Sequence, residues 1–487
     1  MSQDVLMAHS EDSATAGAWA ALGGPAGLVE RVEYAEVPGV LAARLPVRRM
    51  ARAAVGACSL AAAELLSVRD RVPPPAVRVH EGAVAAAFTS ERHLRVDGRV
   101  PAAFAPLSRF WRTADGWVRT HANYPHHRAR LLGALGVGDP GDDEALVARV
   151  AGALAVRSSE SVQEDVYAAG GLAVAVRPGP PERHPLVETR AVPAGTAGAG
   201  ASDRGTPAAR SSGPLSAATT TAVPAAGLPA TGVRVLDLTR VIAGPVATRT
   251  LALLGADVLR VDAPALPEHD DTLADTGFGK RSVVLDLARD RRVLGELLDA
   301  ADVVVTGYRP GALDRFGLGA DDLLDRRPDL VVAELCAWGW TGPWSGRRGF
   351  DSLVQARSGI AAIEGDDGRP GVLPAQALDH GTGYLLAAAV LRALTGRWRA
   401  GGGRHVRLSL AGTASWLVHD LGADPDDGAD RGAHEHGHDH RPWLTETESD
   451  FGLLRHARPP VHYAGAPTTW HRPPGRLGAD RPEWTAR

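Results

Sequence analysis

At 487 residues the chain has room for two to four domains of about 150 residues each, which excludes a single small module. A net charge of −4 with both signs mixed gives no footprint for nucleic acid or an anionic membrane surface. Two cysteines in separate apolar runs, a start without a leader-like pattern and no uncharged apolar run of about 18 residues lead to the expectation of a soluble cytoplasmic protein with no membrane partner.

Residues 1–103 are alanine-rich and read as a helical segment. Val47 to Leu66 makes one helix, and Pro73 to Pro75 break it before the strand-like AVRVH. The same order of helix, breaker, strand and short helix returns from Asp379 to Leu417. Laying Val77 on Val406 pairs Arg78 with Arg407 and Leu65 with Leu394 but puts Met50 where Asp379 stands, so the first copy lacks the carboxylate. Residues 104–190 carry two strands around a turn at Asp115-Gly116, then helices, and predict a small α+β domain. His121, His126 and His127 there read as packed or solvated side chains rather than metal ligands. Residues 191–229 are Ala, Gly, Thr, Ser and Pro with few large apolar side chains, too few to offset the entropy of ordering, and read as a flexible linker.

From Gly232 the pattern alternates. VRVLDL, DVLRVD, SVVLDL, DVVVTG and LVVAEL are short apolar strands separated by amphipathic helices, so 230–345 is expected to be a Rossmann-like α/β domain with a parallel sheet. The first turn, TRVIAGPVA, is not the G-x-G-x-x-G of a dinucleotide site. In 346–420, Tyr384, Ala388, Leu391, Leu394 and Trp398 recur at helical steps, and Gly401 to Gly403 end that helix. Residues 421–487 read as a polar loop and an extended C-terminal segment, and HEHGHDH (His434 to His440) as an exposed loop rather than a metal site.

Two residues draw a chemical reading. Asp379 falls at the mouth of its helix, where free N–H groups and the helix dipole favour the ionised form, either as a cap or as a carboxylate nucleophile. Lys280 is the single lysine among 53 basic residues, and a compact ammonium suits a phosphate; chance survival is the alternative.

In order, VRVLDLTRVIAGPVATRTLALLGADVLRVDAP, GFGKRSVVLDL, ADVVVTGYRPGALDRFGLG, AWGWTGPWSGRRGFDSLVQARSGI and QALDHGTGYL resemble the successive segments of the family III CoA-transferases. SRFWRTADGWVRTHANYPHH resembles the small domain of that family, and SDFGLLRHARPPVHYAG its closing segment. The resemblance implies coenzyme A, bound as an acyl-CoA along the Rossmann-like domain, a carboxylic acid as the second substrate, and no metal. It implies Asp379 as the nucleophile, passing through an anhydride and an aspartyl-CoA thioester, with Gly381 and Gly383 supporting the oxyanion. Carried over by position, Lys280 and Arg281 match a basic pair near the nucleotide. Thr306, Gly307, Tyr308 and Arg309 match the loop after the fourth strand, and Arg315 an arginine reaching the phosphates. Val241, Ile242 and Ala243 match the turn near the thioester.

The departures are specific. Ile242 stands where the formyl-CoA type has glutamine, Asp262-Ala263-Pro264 where an arginine follows the second strand, and Phe350 where the related racemases have a histidine base. The small-domain likeness precedes the linker instead of following the catalytic helix, which suggests two fused units that each kept a complementary part. The family implies a homodimer, which such a fusion could replace. An acyl-CoA racemase or isomerase, and a CoA-binding protein without turnover, are the rival readings.

Overall fold

The computed structural model describes residues 12–102, 104–193, 227–422 and 438–486. Its centre is a seven-stranded sheet in the order Lys280–Val284, Asp257–Asp262, Arg234–Leu238, Val303–Thr306, Val331–Cys336, Gly403–Ser409, Glu188–Val192. The first six run parallel and the last antiparallel. Runs such as VVVT, buried at every position, belong in a sheet covered on both faces. The order of the first six, with a reversal beside Arg234–Leu238, is that of a doubly wound sheet.

Two expected boundaries move. The sheet does not end at residue 345, because Gly403–Ser409 supplies its sixth strand. Nor does the linker begin at 191: Ala191 and Val192 pair with Arg404 and Gly403 at the sheet edge, while 194–226 lie outside the described residues.

The first hundred residues are not simply helical. Val32–Ala35 pairs in parallel with Val77–His80, and between them runs the helix Val47–Asp70, followed after the second strand by the helix Glu81–Phe88. The same sequence of elements occurs as Val331–Cys336, Ala377–Ala400, Gly403–Ser409 and Leu410–His419. Both long helices have 24 residues, and they pack against each other along alanine-rich faces in one shared core. Val47–Asp70 is, among the described residues, the one helix apolar and long enough to cross a membrane, yet 89% of its 18-residue apolar window is buried inside the protein.

The small domain is a three-stranded antiparallel sheet, Phe110–Arg112, Trp117–Thr120 and Ala173–Ala175, with helices Pro125–Leu135, Asp143–Ala155 and Ser159–Ala168. Alternation along the central strand sends Val118 into the core shared with Leu131, Leu146 and Val162. The opposite face, carrying Phe110, Arg119 and Val174 in register, meets the helix Asp351–Arg357. The C-terminal segment is more than an extended loop: Leu444–Ser449 and Gly452–Ala457 form a hairpin that adds Arg95–Val96 as a third strand. Of the histidine tract, residues 434–437 lie outside the described residues.

Candidate active site

Asp379 is the third residue of the helix Ala377–Ala400, not its cap; Gln376 holds that position without a side-chain bond. The cap comes from elsewhere. Asp351, first residue of the helix Asp351–Arg357, accepts the Asp379 N–H at 2.9 Å and also the Leu378 N–H, while Gln355 steadies its other oxygen. A carboxylate from a neighbouring helix thus satisfies amides that a helix start leaves free.

This arrangement reverses the expectation about ionisation. Asp379 is 7% exposed, and its pKa is pushed well above the ordinary carboxyl range by burial, then by Asp351 and Glu91. Burial also lifts Asp351 to about 6, against the N–H groups, Gln355 and His380 that hold it down. Desolvation and two neighbouring carboxylates outweigh the helix mouth. Glu91 arrives from the amino-terminal half, on Ser90–His93, and lies 3.5 Å from Nε2 of the fully buried His380, whose ring lies tilted against that of Phe88.

The two glycines serve packing. Both lie beyond the first turn, where N–H groups bond to helix carbonyls and cannot meet an oxyanion. A Cβ on Gly381 would sit 3.4 Å from Met50 Cε and from Thr413 Cγ2. One on Gly383 would come within 2.7 Å of the Ala243 carbonyl oxygen, so this glycine lets the Val241 to Ala243 turn lie against the helix of Asp379. Val241 adopts φ +69°, a left-handed conformation strained for a β-branched residue, and its N–H is held by Glu268 at 3.1 Å. Ile242 ends that turn as the cap of Ala243–Leu253.

Lys280 and Arg281 do not join this group. They open their strand, whereas Thr306 closes its own, so in a parallel sheet the two sets lie at opposite edges. The Lys280 ammonium is buried, bonded to Asp237 at 3.2 Å and the Pro245 carbonyl at 2.9 Å, and burial pulls it down to about 8. Arg281 is clamped by Asp257 at 2.8 and 3.0 Å. Arg315 is exposed, over the Phe316 ring.

Tyr308 and Arg309, by contrast, stand beside a cationic rim that sequence reasoning largely missed. Burial, then Arg309 and Arg130, pulls Arg348 down, and His126 is depressed by burial and by Arg130, Arg240 and Arg348. Arg240 also approaches Tyr124, whose hydroxyl donates to Glu268 at 2.8 Å, tying the small domain to the Val241 turn. Gly307 packs on Thr239 and Thr306 is buried at the strand end, so this loop is anchored. His121 stacks on Phe350, next to Asp351, with ring centroids 3.7 Å apart, and joins the rim to the carboxylates. A separate cavity of about 150 Å³, lined by Arg177, Trp338, Trp344 and Arg357 among others, borders the far end of the Asp351 helix and does not include Asp379.

Fold and site together define an α/β protein in which a paired, buried carboxylate, Asp379 with Asp351, is joined through Phe350 and His121 to a cationic edge. In residues 231–447, a little under half of its length, the chain matches the sequence model of CoA-transferase family III. It is 37% identical over 205 residues to a probable fatty acyl-CoA transferase of Mycobacterium tuberculosis, covering 39% of this chain and 52% of that protein. It is likewise 37% identical over 200 residues to the succinyl-CoA:glutarate CoA-transferase of Mus musculus, covering 37% and 45%. A crystal structure of the mycobacterial protein aligns with 38% identity over 39% of this chain and 55% of that one, at a TM-score of 0.37. The chain spans about half the length of the curated relatives it matches.

Proposed function

We propose that the protein is a CoA-transferase that moves CoA from an acyl-CoA thioester to a carboxylic acid through a covalent intermediate on Asp379. The observation that carries this reading is Asp379 itself, a carboxylate kept nearly dry and pressed by Asp351 and Glu91, with no cation paired to it among the described residues. A carboxylate is a poor nucleophile in water, and desolvation beside a bound thioester makes it a competent one.

In this reading an Asp379 oxygen attacks the thioester carbonyl and the CoA thiolate leaves, giving a mixed anhydride. The thiolate then attacks the Asp379 acyl carbon and expels the first acid, leaving an aspartyl-CoA thioester. The second acid attacks that carbonyl, thiolate leaves again, and its attack on the new acyl carbon forms the product thioester and restores the Asp379 carboxylate. Asp351 positions the start of the helix throughout. Arg309 and Arg348, with Arg130 and Arg240, supply cations for the CoA phosphates on the Rossmann-like sheet. Thr306, Gly307 and Tyr308 shape that edge, and Val241 to Ala243 border the thioester.

The test is mass spectrometry of the full chain after incubation with acyl-CoA. A CoA adduct on Asp379, converted by hydroxylamine to the hydroxamate and absent from Asp379→Asn, is the expected result. CoA binding without any adduct would point to a silent binder, and solvent deuterium at the α-carbon to a racemase or isomerase.

A further inference from the structure

The cavity at the far end of the helix Asp351–Arg357 has fixed walls and no part in the chemistry proposed for Asp379. It holds about 150 Å³, close to the space that one benzene ring fills. One wall, Arg177 to His184, is pinned along its length. The Arg177 N–H donates to the Ala356 carbonyl at 3.1 Å, the Gly179 carbonyl lies so near Gly359 that no Cβ would fit between them, and the His184 N–H donates to Ser415 Oγ at 3.2 Å. A second wall is aromatic. Trp338 is fixed by its Nε1, which donates to the Arg348 carbonyl at 3.0 Å, and Trp344 packs edge-on against it with ring centroids 4.7 Å apart. Val354 and Ala411, both buried, complete an apolar interior.

Two polar groups of this lining have no partner. Arg347 and Arg357 each bring a guanidinium carbon to 4.4 Å from the Trp344 ring centroid. Arg347 is paired with Glu164 at 3.0 and 2.8 Å, and Arg177 lies 3.5 Å from Glu160. Arg357, by contrast, forms no ion pair among the described residues, and its Nη1 is buried without a hydrogen-bond partner. The next residue, Ser358, is 6% exposed and its Oγ is equally unpartnered. Burial and then Arg177 pull Arg357 below the ordinary guanidinium range, while Glu160 and Glu182 pull it back up. Glu182 belongs to the lining but stands exposed, without pairing to Arg357. A guanidinium edge and a hydroxyl kept from water beside an apolar interior call for an anion with an apolar body, and the planar fork matches a carboxylate. We propose that this cavity binds a small aromatic carboxylate, its ring among Trp338, Val354 and Ala411 and its oxygens on Nη1 of Arg357 and Oγ of Ser358. The site lies at the opposite end of the helix from Asp351 and does not depend on the transferase reading.

Benzoate is the probe, with benzamide as its uncharged counterpart and acetate as the carboxylate without a ring. Titration calorimetry of the full chain shows benzoate bound about 10-fold or more tighter than either. Arg357→Met removes the preference for benzoate over benzamide, and Ser358→Ala weakens benzoate by a smaller factor. Ala411→Leu fills the interior without touching the charge and weakens benzoate and benzamide alike. Asp379→Asn binds benzoate as the wild type does. No benzoate binding at millimolar concentration, benzamide bound as tightly as benzoate, or a preference unmoved by Arg357→Met overturns the assignment. So does binding that is lost in Asp379→Asn and kept in Ala411→Leu, which would place benzoate beside Asp379 instead. Should Arg357→Met fail to fold, Arg357→Lys and Ala411→Leu decide, because unchanged benzoate affinity in both removes the site.

Discussion

The helix Val47–Asp70 and the helix Ala377–Ala400 have the same length, the same neighbours in order and a common interface, yet their beginnings are opposite in charge. At the first, Arg48 meets Glu81 at 3.4 Å, and Arg52 meets Asp12, Glu36 and Glu81 at 3.3, 3.2 and 3.0 Å. Burial alone would lower Arg52, but these three acids hold it above its ordinary value. At the second, Asp379 meets Asp351 and Glu91, and no cation pairs with it among the described residues. Charges of both signs neutralise each other at one start and make it structural; like charges crowd the other and leave it with stored reactivity. One scaffold, used twice, carries a neutralised cluster at one helix start and an uncompensated one at the other, and on the proposed reading this local balance of charge separates support from chemistry.

Substitutions at the two starts should dissociate rate from stability. Asp379→Asn removes the proposed nucleophile and one of the crowded charges: transferase turnover drops on the order of 10³-fold or more, while the melting temperature holds or rises. A variant that keeps turnover would remove Asp379 from the chemistry. Arg52→Met acts the other way, leaving Asp12, Glu36 and Glu81 without their shared cation. It lowers unfolding free energy by about 3–5 kcal/mol, measured by denaturant titration; a loss within error would mean those acids are already satisfied. Gly383→Ala tests the contact between the helix of Asp379 and the Val241 turn, because its Cβ would lie 2.7 Å from the Ala243 carbonyl oxygen. Overpacking there costs about 1–3 kcal/mol and raises the KM for acyl-CoA, and unchanged values of both would show that the turn yields freely.

Local pattern revealed most of the frame. The strand Asp257–Asp262 and the helix Ala320–Arg326 fall on the residues that periodicity gives, since each needs only its own apolar spacing. The site was less legible where a residue's role depends on a distant partner. Asp351 lies 28 residues before Asp379, and nothing in GFDSL says that its oxygen will accept a backbone N–H from another helix. Gly383 looked like an amide donor and is a gap for a carbonyl, a distinction visible only once Ala243 is in place. Lys280, conspicuous by rarity, is consumed by Asp237 inside the sheet. The rim residues Arg130 and Arg348 are unremarkable in an arginine-rich chain, and only folding brings them together. Arg348 does stand in the GRRGFD stretch that carried the family likeness, which was the one available signal.

The sharpest probe of the crowded start is its response to pH. Asp351 is lifted by burial from an ordinary 3.8 to about 6, and burial, Asp351 and Glu91 raise Asp379 as well. A carboxyl whose folded pKa exceeds its unfolded value adds stability that is full below the unfolded pKa and is lost as pH rises through the folded one. The ligand-free protein therefore loses this contribution between about pH 4 and 6 at Asp351 and continues to lose it at higher pH as Asp379 ionises. Turnover has the opposite slope, because attack needs the ionised Asp379, so activity climbs with pH as the pair loses its protons. Asp351→Asn keeps an oxygen that can accept the Asp379 N–H but removes its charge. The acid limb of the rate profile should then move to lower pH and the stability curve should flatten. If the limb stays where it is, the charge of Asp351 does not reach Asp379, and the contrast between the two helix starts reduces to one of burial alone.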